Sequence, residues 1–333
     1  MRLLTVAPGP NFSVADVHDG WVAAFQELGL QVADVNLDRR LDFYAADPRL
    51  SPEEAIKFTN NSLHAVCYQY RPDVLFVTSC MYLTAGHLDT IRARGTRIVI
   101  LFTESPYEDD IQLQRAEHCD VALLNDPTHL DAFRQVCPSS WYVPHAYRPD
   151  RHHPKAGLPE HKSDFAFVGT GFPSRVEFFE QVDWTGIDVA LGGHWANLPA
   201  GSPLLKFLAH DPEECLPNEQ TSQLYAGTKA SANLYRREAN RPELSAGWAM
   251  GPREVELAAM RRFFLRDPRP ESDLVLGKTG LPTFAGPEDF GEQLRWWLDH
   301  EDEREEAALK AQIAVMDRTF VNHAKLLMRV LGL

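Results

Sequence analysis

No apolar run in this sequence approaches the roughly 20 residues that cross a bilayer, so no membrane-spanning helix is expected. Paired cysteines are missing too. Cys67, Cys80, Cys119, Cys137 and Cys215 are scattered, with no C-x-x-C and no zinc spacing, which excludes a zinc ribbon and a disulfide scaffold. They read as reduced, mostly buried thiols of a cytoplasmic protein. A signal peptide is not expected, because the apolar start Met1–Val6 is cut short by Pro8-Gly9-Pro10 and reads instead as a first strand. Positive charge is in deficit: 33 Lys and Arg face 47 Asp and Glu, and the net charge of −14 argues against a general polyanion binder. His152-His153 looks metal-like but has no partner ligand at sensible spacing, so it reads as linker and no metal site is expected.

What is present is ordinary for a globular protein: 44% hydrophobic and 24% charged residues in 333, a length that suits two domains. Residues 3–143 alternate short apolar runs with helical periodicity. Strands are expected near 3–7, 31–37, 74–78, 97–103, 121–124 and 141–143, and helices over 14–28, 51–70, 83–94, 105–118 and 128–136. Ser51-Pro52-Glu53-Glu54 carries a capping serine, a first-turn proline and acids against the dipole. Such alternation with short links predicts a doubly wound parallel sheet. Arg148–Lys162, rich in proline, histidine and charge, reads as a linker. The pattern then restarts. Strands are expected at 165–168, 188–191, 230–234 and 263–265, helices at 175–182, 253–260, 288–299, 301–315 and 323–331, and a loop-rich stretch at 192–220. The expected division is a first domain over 1–150, a second over 151–318, and a last helix in 319–333 that packs back on the first. A cleft between two similar α/β domains is the expected site.

Two glycine-punctuated segments carry the chemistry. Ser163–Arg175 reads as a strand followed by Gly169-Thr170-Gly171, a loop whose backbone N–H groups could meet a phosphate closely. A plain strand-to-helix turn is the alternative. Gly251–Leu265 reads as a turn and a helix with Arg253 and Glu256 in its first turns. The guanidinium fork suits a diphosphate and the carboxylate suits a ribose diol; a surface ion pair and a dipole-complementing acid are the bland alternatives. Together the segments point to a nucleotide-diphosphate ligand, a sugar nucleotide. Arg175, Asn233, Tyr235 and Arg236 join this donor site by position, with Tyr235 equally fit for the core. Lys229, Arg236, Arg237, Arg241, Arg253, Arg261, Arg262, Arg266 and Arg269 crowd one stretch, either as an anion site or as a solvated, salt-bridged face.

In this order and spacing the chain resembles the CgeB-like (spore-coat and phage type) glycosyltransferases. The resemblance rests on Thr103-Glu104-Ser105-Pro106-Tyr107, Tyr142–Tyr147, Phe165–Thr170, Ala232–Arg236, Arg253–Glu256 and Pro282–Phe290 with the helix ending at Trp296-Trp297-Leu298. It implies the GT-B fold: two facing Rossmann-like domains with parallel sheets. It also implies transfer of a hexose-type sugar from a UDP-linked or other nucleotide-diphosphate donor to an acceptor hydroxyl, with Glu256 on the ribose and Arg253 on the diphosphate. The chain departs from the family at Glu104, where an aspartate is usual, and at Arg261, a poor left-handed cap where the helix carrying Glu256 closes. Trp248 stands eight residues before Glu256, where many retaining enzymes have an acid, which leaves stereochemistry open.

A base on the acceptor side is sought among Asp16, His18 and Asp19 after the Pro8–Ser13 loop, Glu104 at a strand end, and His145 at the domain junction. Asp16 and Asp19 equally suit a helix start. With no D-x-D pair before the donor site, a metal-independent enzyme without cofactor is expected. The acceptor is a protein, a glycan or a hydroxymethylated base of phage DNA, in the last case in the host cytoplasm. Duplex DNA needs a positive groove, against the acidic total. A sugar-nucleotide epimerase and a non-catalytic nucleotide-binding protein are the rivals.

Overall fold

The computed structural model describes residues 1–8, 12–79 and 83–333, the side chains of Phe12 and Ser13 excepted. Most of the Pro8–Ser13 loop and the Cys80 thiol therefore lie outside the described residues. The chain forms two compact units, one of Met1–Pro144, Ala239–Gly247 and Phe320–Leu333, the other of His145–Glu238 and Trp248–Thr319.

The first unit is built from β1 (Arg2–Val6), α1 (Phe12–Glu27), β2 (Gln31–Val35), α2 (Leu37–Ala45), α3 (Pro52–Tyr70), β3 (Val74–Thr78), α4 (Ala85–Arg92), β4 (Arg97–Phe102), α5 (Asp109–Ala116), β5 (Val121–Leu124), α6 (Leu130–Val136) and β6 (Ser140–Tyr142). Its sheet has the order β2-β1-β3-β4-β5-β6, all parallel. β3 and β5 are buried at every position, as expected where helices cover both faces. α3 starts as its sequence promises: Ser51 and Glu54 close a reciprocal capping box. α2 was not expected. Asn36 caps it, accepting from the Arg39 N–H at 3.1 Å, so the strand stops at Val35 rather than Leu37. The helix expected over 105–118 begins only at Asp109.

The second unit comprises β7 (Ser163–Val168), α7 (Pro173–Glu180), β8 (Val189–Gly192), α8 (Asn218–Gly227), β9 (Thr228–Asn233), α9 (Pro252–Ala259), β10 (Phe263–Arg266), α10 (Pro270–Leu276), α11 (Pro287–Asp299) and α12 (Glu301–Val315). The sheet runs β10-β9-β7-β8, parallel, over a core rich in aromatics that includes Phe165, Phe167, Phe179, Trp195 and Phe290. Strand order reverses between β7 and β9, and that is where a doubly wound sheet offers a crevice at its carboxyl edge. Two helices, α8 and α10, occupy stretches not read as helical.

The last helix, α13 (Phe320–Val330), belongs to the first unit. It packs on α1, with Phe320 and His323 against Trp21. A Cβ added at Gly20 would lie 2.4 Å from the Phe320 ring, so this close approach requires glycine. The excursion 239–247 also joins the first unit, although its position in the sequence lies well inside the second. The Asn240 N–H donates to the Tyr107 carbonyl at 3.1 Å, and Asp110 accepts from Asn240 Nδ2 at 3.2 Å and pairs with Arg241 at 3.3 Å.

Candidate functional site

The site grows from the start of α9. Pro252 suits the first helical position, where its missing N–H costs nothing. Glu254 is completely buried. It accepts from the Gly251 N–H at 3.0 Å, from Ser272 Oγ at 2.6 Å and from the Tyr235 hydroxyl. Burial raises its carboxyl pKa, and these hydrogen bonds oppose the rise. The first turn is thus fixed from three sides. Arg253 and Glu256, three residues apart, project from one side of the helix.

Arg253 bridges the two strands flanking the reversal. Its Nε and Nη2 donate to the Val168 carbonyl at 3.0 and 2.7 Å, and Nη1 donates to Asn233 Oδ1 at 3.0 Å. The guanidinium lies 4.4 Å from the Phe167 ring centre. Three of its five N–H donors are engaged in this way, and the Tyr225 hydroxyl is a further neighbour of the guanidinium. Asn233 is buried at the end of β9, and its Nδ2 has no hydrogen-bond partner among the described residues.

The two glycines of the loop do not offer their N–H groups to a phosphate as the sequence suggested. The Gly169 N–H donates to the Gly192 carbonyl at 3.0 Å, and the Gly171 N–H donates to the His194 carbonyl at 2.8 Å. The glycines answer to packing instead. A Cβ at Gly169 would lie 2.5 Å from Arg253 Nη2, and one at Gly171 2.5 Å from the Trp195 ring. Gly193, at φ +93°, would drive a Cβ into the Gly169 backbone. Thr170 lends its carbonyl to Arg175 Nη1 at 3.0 Å, and Arg175 also holds the Leu234 carbonyl at 3.2 and 2.8 Å. Arg175 is therefore a buried clamp between the β7 loop and the end of β9.

Glu256 is half-buried, its side chain 19% exposed. Burial pushes its carboxyl up to about 7, against the pull of Arg253 and of Asn218, whose Nδ2 donates to Oε1 at 3.3 Å. His152 Nε2 stands 3.8 Å from the same oxygen. His152 is itself only 4% exposed, and burial pushes its imidazole down to about 4. Neither residue was singled out from the sequence: His152 reads as linker, and Asn218 falls in the stretch read as loop. No local pattern announces either, because the fold alone brings them to Glu256.

Other expected site residues fall elsewhere. Tyr235 is core. Its hydroxyl bonds to Glu254 and accepts from the Gly251 N–H at 3.3 Å, and Arg269 stacks 3.9 Å over its ring, so it offers no face to a base. Arg236 lies over Phe172 at 5.8 Å. His18 is 2% exposed with both ring nitrogens engaged, Nδ1 with Thr78 Oγ1 at 3.1 Å and Nε2 with Asp34 Oδ1 at 2.9 Å. Burial alone would raise the Asp34 carboxyl, but hydrogen bonds from His18 and Thr5 hold it below its usual value. That geometry ties β1, β2 and β3 together and does not suit an exposed base. Asp16 and Asp19 lie within α1, Asp19 exposed, and Glu104 is partly exposed beyond the end of β4. His145, partly exposed, belongs to the second unit while the other candidates belong to the first.

The basic stretch is largely engaged within the protein. Lys229 pairs with Asp164, Arg237 with Asp267, Arg241 with Asp110, Arg261 with Glu305 and Arg266 with Asp273. Arg262 donates to the Ala226 carbonyl at 3.2 Å. Cys67, Cys119 and Cys137 are buried free thiols and Cys215 is half-buried.

Residues 175–327, which include α9 and its neighbours, match the family model described as glycosyl transferase-like. Curated proteins give no significant sequence match. Among solved structures, the chain is similar to sucrose-phosphate synthase from Thermosynechococcus elongatus (10% identity, TM-score 0.67, covering 100% of this chain and 98% of that one). It is similar also to Anabaena HepE in complex with UDP and glucose (10%, 0.63, covering 100% and 99%) and to a glycosyltransferase from Rickettsia africae (11%, 0.67, covering 99% and 98%). At such identities the likeness shows the fold. The chain has the GT-B fold, with two Rossmann-like domains of parallel strands.

Proposed function

We propose that this protein is a glycosyltransferase whose second unit binds a nucleotide-diphosphate sugar, with UDP as the nucleotide, and passes the sugar to an acceptor hydroxyl. The observation that carries the reading is the Arg253 and Glu256 pair on one side of α9, beside the strand reversal of a parallel sheet and within the segment that matches the glycosyl transferase-like family model. A guanidinium suits phosphate oxygens, and a carboxylate can accept from both hydroxyls of a ribose. Support for UDP comes from the Anabaena neighbour, whose structure contains it.

In this reading Arg253 stabilises the negative charge that develops on the leaving diphosphate, without a metal. Glu104, Asp16, Asp19 and His145 remain candidates for the base, and His18 is set aside because its nitrogens are engaged. The acidic total and the ion-paired arginines disfavour duplex DNA as acceptor.

The test is a thermal-shift screen with UDP, GDP, ADP, dTDP and CMP, with and without magnesium. Selective stabilisation by UDP in the absence of magnesium is expected. No response to any nucleotide would contradict the reading. Release of an epimerised nucleotide sugar, with no sugar transferred, would replace transfer by epimerisation.

A further inference from the structure

The turn at the head of the second unit is closed by its own histidine. The His152 N–H donates to the Arg148 carbonyl at 2.7 Å, and the Arg148 N–H donates to His152 Nδ1 at 3.1 Å. An imidazole that accepts at Nδ1 and is neutral carries its proton on Nε2. That Nε2–H faces Glu256 Oε1, 3.8 Å away, the oxygen to which Asn218 Nδ2 already donates. Among the described residues no hydrogen bond reaches Glu256 Oε2. Asn218 thus donates to this carboxylate oxygen while His152 stands in contact with it and with the Asn218 side chain, and both residues are buried. Asn218 is the first residue of α8, and His152 is locked by its own turn, so neither donor swings freely.

We propose that His152 and Asn218 are positioning residues of the donor site, holding the Glu256 carboxylate through Oε1 so that Oε2 is presented to the ribose hydroxyls of the nucleotide. The inference rests on the reading of Glu256 as the ribose acceptor. At 3.8 Å the His152 contact is longer than a hydrogen bond, and such contacts shorten when a ligand fixes the acceptor. Two roles of His152 can be separated by substitution. Glutamine places an N–H near the Nε2 position, facing Glu256. Asparagine places an acceptor near the Nδ1 position, facing the Arg148 N–H.

The experiment is isothermal titration of the full chain with UDP and with 2′,3′-dideoxy-UDP, which lacks the diol. His152→Ala and Asn218→Ala are each expected to weaken UDP about tenfold, the scale of one lost hydrogen bond to a charged group, and to leave the dideoxy ligand unchanged. His152→Gln is expected to restore most of the UDP affinity and His152→Asn to restore none. Recovery by asparagine instead of glutamine would overturn the proposal, because the histidine would then serve only its turn. Equal losses for both ligands would overturn it as well. If Glu256→Ala weakens UDP while His152→Ala and Asn218→Ala do not, the positioning role falls and the donor site stands. If the wild-type protein binds no UDP, the donor reading falls and takes this inference with it.

Discussion

At the scale of single residues, the proposed site depends on a carboxylate that the protein makes reluctant to ionise. Glu256 titrates near 7 in the folded, unliganded protein and near 4.5 when unfolded. A raised acid stabilises the fold below its unfolded pKa, and that contribution is lost as pH climbs through about 7. Glu256→Gln escapes this loss. Its unfolding free energy should therefore gain on the wild type by up to about 3 kcal/mol between pH 5 and pH 8, read from urea midpoints. His152, depressed to about 4, acts in the opposite sense: its contribution is present above about 6.5 and is lost as pH falls toward 4. If the ionised Glu256 accepts the ribose hydroxyls, UDP affinity should fall as pH drops below about 7, approaching tenfold per unit. A pH-independent affinity would contradict that role. The placement of Arg253 and Glu256 on one side of a helix was legible because three-residue spacing on a capped helix is a local pattern. His152 and Asn218 were not, because their meeting with Glu256 depends on how the turn at 148–152 and the start of α8 are folded.

At the scale of elements, α9 closes in a way the sequence argued against. Arg261 takes the left-handed conformation, φ +54°, at a position that favours glycine. The Arg262 N–H reaches the Leu257 carbonyl at 2.8 Å and the Arg261 N–H the Ala258 carbonyl at 2.9 Å, so the helix ends in the ordinary glycine-type motif despite the arginine. The ion pair with Glu305 offsets part of the strain. Arg261→Gly should remove about 1 kcal/mol of backbone strain, lose a surface pair worth less, and leave the protein slightly more stable by thermal melting. A clear loss of stability would mean that the arginine does more than close the helix. Gly193→Ala should be severe, because both its positive φ and the Gly169 backbone oppose a side chain. The long helices α11 and α12 were readable in the sequence, with bounds close to those expected. By contrast, α8 was hidden behind the proline- and glycine-rich stretch that precedes it.

At the scale of the whole molecule, the chain is not cut once. It leaves the second unit to contribute 239–247 to the first, and leaves it again at Phe320. Strand–helix alternation made two parallel α/β sheets legible, but nothing in the composition of 239–247 marks its return. The Phe320 ring and the His323 imidazole link α13 to Trp21. Phe320→Ala should open a cavity costing roughly 3–5 kcal/mol in the first unit. The UDP affinity, which the proposed site assigns to second-unit residues, should be unchanged at a temperature where both units remain folded. The central claim is that the start of α9 holds a nucleotide diphosphate, and the most direct measurement is a crystal structure of the protein with UDP. The account predicts both ribose hydroxyls within about 3 Å of the Glu256 carboxylate and the diphosphate against the Arg253 guanidinium. A nucleotide bound elsewhere, with Arg253 and Glu256 untouched, would contradict it.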